Sequence, residues 1–371
     1  MKKIATITFH SSYNYGSHLQ AYALQEFIKK ISKEPIEYKI INLRTPIQKN
    51  MYKNIFERKG LKNNIKGMFL LKYKKQLFDK AKNYENFLLS KLQITKEYNS
   101  YEELMKEQFE YDYYISGSDQ LWNLNAKDFD WSNYLEFVKK GKKISYSASF
   151  GPIAQRWNED EQQRVKKDLL QYDYISVREQ ESASNVKKLT GINPEIHVDP
   201  TMLLDKDDWI KIVGKKALIE GDYILFYDLK GRKTDLKLVK EISKRLNMPV
   251  VITKYMNMKI HFSKFKKHYY CGPIEFLNLL YNSKLVLSSS FHGNVFSIIF
   301  NKPFYALNGK TDFRINTMLK KFELLDRSIT FEELDNKIEN VYNIDFSKAK
   351  KIFKKEETKS KEYLKEALDL E

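Results

Sequence analysis

The chain has 371 residues, a formal net charge of +17, 42% hydrophobic residues and one cysteine, Cys271. That length exceeds one ordinary core and predicts two domains; the lone cysteine excludes an intramolecular disulfide, and no apolar run approaches the roughly 18 residues of a membrane span. The basic excess favours anionic partners (nucleic acid, an acidic membrane surface, phosphorylated substrates) without choosing among them.

The apolar run after Lys2 and Lys3 is Ile4 to Phe9, which ends at His10 with no small-residue cleavage site. It reads as a first strand rather than a signal peptide, and the lone cysteine fits a reducing cytoplasm, the expected location. A polar and aromatic loop follows, His10 to Ser17, and then an amphipathic helix, His18 to Ile31. Strand, glycine-containing loop and helix open an α/β domain. The loop lacks the GxGxxG and GxxxxGKS/T spacings, which argues against a dinucleotide or P-loop site. Asn14 and Gly16 tolerate left-handed backbone, either to make a turn or to expose the loop to a ligand. Ile36 to Leu43 is the second strand.

Between Lys49 and Lys82 eleven Lys or Arg stand against two acids, and Ile65, Phe69, Tyr73, Leu77, Ala81, Tyr84 and Leu88 recur at steps of three or four. The pattern predicts an amphipathic basic helix. Two readings stand: a helix packed on its domain with a solvated basic back, or one that docks on an anionic membrane surface or caps the site of a charged acceptor.

Tyr111 to Ile115 is a buried-type strand running into Ser116-Gly-Ser-Asp-Gln-Leu-Trp-Asn123. Ligands of α/β sheets sit at such strand ends. Asp119 is therefore either a turn cap or a holder of hydroxyls, and Trp122 either core or a face on which a sugar stacks. Lys143 to Phe150 is the next strand, residues 159–171 a charged helix, and Tyr174 to Glu179 a strand. Its Arg178 is either an ion-pair partner or a fork for phosphate or carboxylate. A helix Ser182 to Leu189 and the segment Ile196 to Leu204 close the first half.

The second half repeats the alternation: strand Tyr223 to Tyr227, helix Asp235 to Leu246, strand Val250 to Thr253, helix Pro273 to Tyr281. In Lys284 to Phe304 a short apolar run, Leu285 to Leu287, leads into Ser288 to Ser290. From about His292 the apolar residues Val295, Phe296, Ile298 and Ile299 take helical spacing until Pro303. The local geometry is strand, serine turn, helix N-terminus, with a histidine at the turn. Free N–H groups and the dipole suit a phosphate or carboxylate there, and Gly293 would let it approach without a Cβ in the way. After Phe304 to Leu307, Lys310 and Arg314 precede a helix through Lys320, and a last charged helix spans Phe346 to Leu368.

There is no HExxH, no paired CxxC and no G-x-S-x-G elbow in the right context, so neither a metal site nor a lipase-type nucleophile is expected. His197, His261 and His268 show no metal-ligand pattern. Aromatics are not interleaved with a basic stripe, so a nucleic-acid groove is not expected either.

Asn14-Tyr-Gly-Ser-His-Leu-Gln-Ala-Tyr-Ala-Leu24, Gly117-Ser-Asp-Gln-Leu-Trp-Asn123, Ser145-Tyr-Ser-Ala-Ser-Phe-Gly151, Ser176-Val-Arg-Glu179, Val198-Asp-Pro-Thr201 and Ser290-Phe-His-Gly293 come in one order along the chain. As a set they resemble the polysaccharide pyruvyl transferase family, from residue 4 to about 327. The resemblance implies an α/β architecture of two Rossmann-like domains facing a cleft, similar to GT-B glycosyltransferases. The expected division is residues 1–212 as the acceptor-side domain, with the basic helical insertion at about 49–90, and 213–345 as the donor-side domain. The helix in 346–371 is expected to cross back to the N-terminal domain.

The implied reaction transfers the enolpyruvyl carbons of phosphoenolpyruvate to two hydroxyls of a sugar, giving a pyruvate ketal and phosphate. The acceptor would be a glycan or lipid-linked glycan precursor, with no cofactor beyond phosphoenolpyruvate as co-substrate. Peripheral contact with the anionic inner face of the membrane is an extension of the same expectation. In the family the histidine matching His292 is the functional one, which makes His292 the expected acid/base; an imidazole exchanges protons near neutral pH. Arg178, Ser290, Gly293, Lys310 and Arg314 are expected on the donor, and Asn14, Tyr15, Gly16, Asp119 and Trp122 on the acceptor. Some relatives carry arginine where this chain has Ser290, and Lys310 or Arg314 would supply the missing charge. The competing readings are a nucleotide-sugar glycosyltransferase of GT-B type and a non-enzymatic polyanion-binding protein.

Overall fold

The computed structural model describes residues 1–371 apart from 54, 59–60, 152–156, 215, 230 and 255–257. The chain forms two compact units: residues 1–53, 85–204 and 355–371 make the first, and 54–84 with 205–354 the second.

The first unit is built on β1 (Lys2–Ile7), β2 (Ile36–Leu43), β3 (Ile94–Tyr98), β4 (Tyr113–Ser116) and β5 (Lys142–Ser145), all parallel, in the order β3-β2-β1-β4-β5. Their centres are apolar because helices cover both faces of a parallel sheet, and Ile4, Ala5, Ile40, Ile41, Ile115 and Ile144 are fully buried. Only Ser176–Val177 of the expected strand 174–179 forms a ladder, β6, paired in parallel with β7 (Glu195–Ile196). Single bridges Ile144↔Tyr174 and Ala148↔Val177 tie this pair to the edge of the main sheet. The end of the last helix (Ser347–Ala367) and the residues after it are held in this unit. The Tyr363 hydroxyl donates to the Ser145 carbonyl at 2.8 Å, and Tyr113 and Lys142 reach the Asp369 carboxylate at 2.8 and 2.7 Å.

The second unit repeats the pattern with β8 (Ile224–Tyr227), β9 (Val250–Ile252), β10 (Lys266–Lys267), β11 (Leu285–Ser288) and β12 (Phe304–Ala306), parallel, in the order β10-β9-β8-β11-β12. Ile224, Phe226, Val239, Ile242, Ile252, Leu285, Leu287 and Tyr305 share one core, and Leu70 belongs to it. In each sheet the first and fourth strands in chain order are neighbours, so winding reverses between β1 and β4 and between β8 and β11. The carboxyl ends at such switch points are where open α/β sheets bind ligands.

Two expectations change here. The division falls at Leu204/Asp205 rather than 212/213, and residues 54–84 belong to the second unit, not the N-terminal one. The expected long basic helix is two helices, Leu61–Leu70 and Lys74–Lys91, with a 3-10 turn Leu71–Tyr73 between them. The stripe splits with it: Tyr84 and Leu88 are buried, whereas Ile65 and Phe69 are exposed. Leu70, about a third of a turn round the helix from that stripe, is the side chain that enters the core.

Candidate active site

At the carboxyl edge of the first sheet, the β1 and β4 ends are drawn together by a glycine. A Cβ on Gly117 would lie 2.9 Å from Thr8 Cβ, closer than carbon atoms tolerate. Beyond β1, Asn14 starts the helix Tyr15–Ile31: its backbone is extended, and its Oδ1 accepts from the Gly16 N–H at 3.0 Å. Asn14 therefore caps the helix rather than making a left-handed turn, and Gly16 lies in the first helical turn. Tyr15 is 1% exposed, packed inward instead of presented to an acceptor.

Beyond β4, Asp119 holds a left-handed φ of 71° and receives the Gln120 N–H at 2.9 Å and the Ser17 hydroxyl at 3.3 Å. Trp122 is fully buried, stacked on Tyr134 with ring centroids 5.6 Å apart, and its Nε1 donates to Ser116 Oγ at 3.0 Å. No face of the indole remains for a sugar, which removes Trp122 from the acceptor set.

Arg178, at the end of β6, departs most from its expected role. Its guanidinium meets Asp199 at 3.0 Å, Glu179 at 3.3 Å and Asp119 at 3.8 Å, with its side chain 5% exposed. Burial alone would lower its pKa, but Glu179, Asp199 and Asp119 together raise it. Asp199 is itself fixed by the Thr201 N–H and hydroxyl, and Glu179 by the Ser149 and Ser182 hydroxyls. One cation among three carboxylates leaves a negative surplus, which repels an anionic donor. Arg178 is thus the organising ion of this edge, and its assignment to the donor is withdrawn.

The carboxyl edge of the second sheet is built differently, around a helix N-terminus. Ser290 is the N-cap of the helix Phe291–Ile299, with no side-chain cap bond; its N–H is received by Ser288 Oγ at 3.0 Å. The first helical N–H groups, at Phe291, His292 and Gly293, have no acceptor within the helix. His292 sits in that first turn, 7% exposed, with its ring edge-on to Phe291. Gly293 faces inward instead of toward a ligand: a Cβ there would collide with Ser288 Oγ and lie 3.0 Å from both Ser288 Cβ and Tyr227 Cδ1. Its bareness allows close packing of the helix on β8 and β11, which corrects the expectation that it admits an anion.

Along the same edge Ser289 Oγ bonds Asp228, beyond β8, whose other oxygen receives the Gly231 N–H at 2.8 Å. Lys254, beyond β9, has its pKa lowered by burial, with Asp228 opposing the shift. The half-buried Lys80 is pushed down to about 7, first by burial and next by Lys254. Beyond β12, Asn308 is 3% exposed and both polar atoms of its amide lack a hydrogen-bond partner among the described residues. Lys310 pairs with Glu333 at 2.8 Å and Arg314 with Asp312 at 3.2 Å, each pair partly exposed. Asp228, Lys254 and Asn308 escaped the sequence reading, since a single polar residue after a strand makes no motif.

Among the described residues no group of three or more His, Cys, Asp or Glu can hold a metal ion, and no helix is long and apolar enough to cross a membrane. A cavity of about 690 Å³, lined by Lys3, Asp112, Tyr113 and Lys142, lies at the amino-end edge of the first sheet, away from these groups.

A family model described as polysaccharide pyruvyl transferase matches residues 14–311. No curated protein sequence matches significantly. Among solved structures, UDP-GlcNAc 2-epimerase from Methanocaldococcus jannaschii is 15% identical over 95% of this chain and 99% of its own, with a TM-score of 0.53. A putative UDP-N-acetylglucosamine 2-epimerase from Listeria monocytogenes is 13% identical over 95% and 91%, with a TM-score of 0.53. UDP-GlcNAc 2-epimerase from Neisseria meningitidis is 12% identical over 97% and 100%, with a TM-score of 0.51. At these identities the likeness is one of fold, two Rossmann-like units of the GT-B kind.

Proposed function

The chain belongs to the polysaccharide pyruvyl transferase family, and from that premise we propose that it transfers pyruvate from phosphoenolpyruvate to two hydroxyls of a sugar in a cell-surface polysaccharide or its precursor. In this reaction C3 of the enol gains a proton and C2, now electron-poor, is attacked by one sugar hydroxyl. The C2–O bond to phosphate then breaks, and the second hydroxyl closes the ketal. Of the two hydroxyl protons lost, one balances the new methyl group and the other leaves with phosphate.

The family match carries the reading, and the second sheet's carboxyl edge supports it. Phosphoenolpyruvate bears a phosphate and a carboxylate, and that edge offers a helix N-terminus, Lys254 and two cations, Lys310 and Arg314, in partly exposed pairs that an anion can displace. Asn308 has an amide whose hydrogen bonds a ligand would complete. His292, in the first turn of that helix, is the proposed proton carrier. Asp119, with Ser17 and the Asn14 cap, is proposed for the sugar hydroxyls. No cofactor enters beyond phosphoenolpyruvate as co-substrate.

The test is incubation with phosphoenolpyruvate and a panel of glycan precursors, free and lipid-linked, following phosphate and product mass. The expected product gains one pyruvate less one water, with one phosphate released per product. Release of a nucleotide from a sugar donor, with no consumption of phosphoenolpyruvate, would replace this reading by glycosyl transfer.

A further inference from the structure

The second unit carries an apolar face turned outward. In the helix Leu61–Leu70, Leu70 is 1% exposed and anchors the helix in the core, and Gly67 sits against the Phe56 ring, where a Cβ would be 3.4 Å away. The opposite side presents Ile65 at 47%, Met68 at 60% and Phe69 at 44% exposure, continued by Leu71 at 58%. Phe262, 65% exposed, meets Phe69 edge-on with centroids 5.7 Å apart. A helix that serves only the fold turns its apolar side inward. Here five large apolar side chains form one patch in solvent, and such patches mark interaction surfaces.

The charge around the patch selects the partner. Residues 58–78 hold seven Lys or Arg and no acid, and residues 242–274 contain no acid either. Lys66, Lys72, Lys264 and Lys266 make no ion pair among the described residues, and all but the half-buried Lys66 are exposed. Protein interfaces are depleted of lysine. A bilayer interface instead takes lysines beside Phe, Leu and Met, because their long stems lie along the acyl boundary while the amines meet lipid phosphates.

We propose that the outward face of the helix Leu61–Leu70, with Leu71 and Phe262, docks this protein on the surface of an anionic phospholipid bilayer. The apolar side chains enter the headgroup boundary and the lysines on either side bind the headgroups, without any segment crossing the membrane. Docking stands independently of the pyruvyl transfer, since neither the patch nor its readout uses the site at His292.

The experiment is co-sedimentation of the full chain with phosphatidylcholine vesicles and with vesicles containing phosphatidylglycerol. Binding to the anionic vesicles is expected to exceed that to neutral ones by about tenfold or more, and to weaken with salt. Met68→Glu, a change at the most exposed of the helix's large apolar side chains, should abolish binding with an unchanged melting curve, and K66E/K72E should erase the preference for anionic lipid. Absent binding to phosphatidylglycerol vesicles, or binding that Met68→Glu leaves intact, overturns the proposal. So does sedimentation velocity showing a dimer that Met68→Glu splits, because the patch would then serve a second copy of this chain.

Discussion

Arg178 Nη1 lies 3.0 Å from Asp199 Oδ2, and Asp199 Oδ1 in turn caps the turn Pro200–Leu203 through the Thr201 N–H. That turn packs on the helix Tyr15–Ile31, so one guanidinium ties β6, the 199–203 turn and Asp119 into one frame. Removing the charge from a buried network of this kind leaves three carboxylates facing one another. Arg178→Ala is therefore expected to cost about 3–5 kcal/mol of stability, and Arg178→Lys to recover only part of it, because an ammonium cannot fork to several partners. Urea unfolding measures both. A variant with unchanged stability but a raised KM for phosphoenolpyruvate would return Arg178 to the donor.

His292→Gln keeps the volume of a 7%-exposed side chain while removing its proton exchange. Turnover is expected to fall by about 10²–10⁴ with the unfolding midpoint little changed. Phosphate release under single-turnover conditions reads the first and thermal melting the second. Full activity in the folded variant would move the proton transfer to another group.

Gly293→Ala sets two effects against each other. In a helix interior alanine is ordinarily better than glycine by about 1 kcal/mol. Here the new methyl collides with Ser288 Oγ and presses on Tyr227, and overpacking costs typically about 1–3 kcal/mol. The collision should win, giving net destabilisation that Ser288→Ala partly relieves in the double variant. Equal or higher stability of Gly293→Ala alone would mean that the helix does not approach β11 so closely.

Much of this architecture is legible from the chain because parallel strands buried on both faces leave short apolar runs, and Ile4 to Ile7, Tyr113 to Ile115 and Leu285 to Leu287 all carry that mark. The residues that went astray share a different cause. A tryptophan just after a strand has the same local sequence whether it stacks on Tyr134 in the core or on a ligand. Arg178 reads as an open fork until folding brings Asp119 and Asp199 beside it. Ile65 and Phe69 keep the right period, but period alone does not say which side of a helix is inside; Leu70 decides that. Lys254 and Asn308 gain meaning only when the strand order places them on the same sheet edge as His292.

His18 makes the acid limb of stability specific. It is 1% exposed, with its ring edge-on to Phe87, and its pKa is lowered to about 3, chiefly by burial and next by His10, with Arg44 in the same sense. Unfolded, the imidazole returns to its ordinary value of 6.5. Between those limits the unfolded chain binds one more proton than the folded one, so stability present above about 6.5 is lost as pH falls toward 3, by up to roughly 1.4 kcal/mol per pH unit. His10, also lowered by burial, adds a second loss in the same direction. His18→Phe keeps an aromatic ring beside Phe87 without the proton, so its unfolding free energy should decline less steeply on acidification, by about one proton in the linkage slope. Urea titrations at a series of pH values from roughly 7 down to 4 resolve that difference in slope. Parallel curves for the two proteins would show that His18 is protonated to the same extent in both states and that its burial carries no penalty.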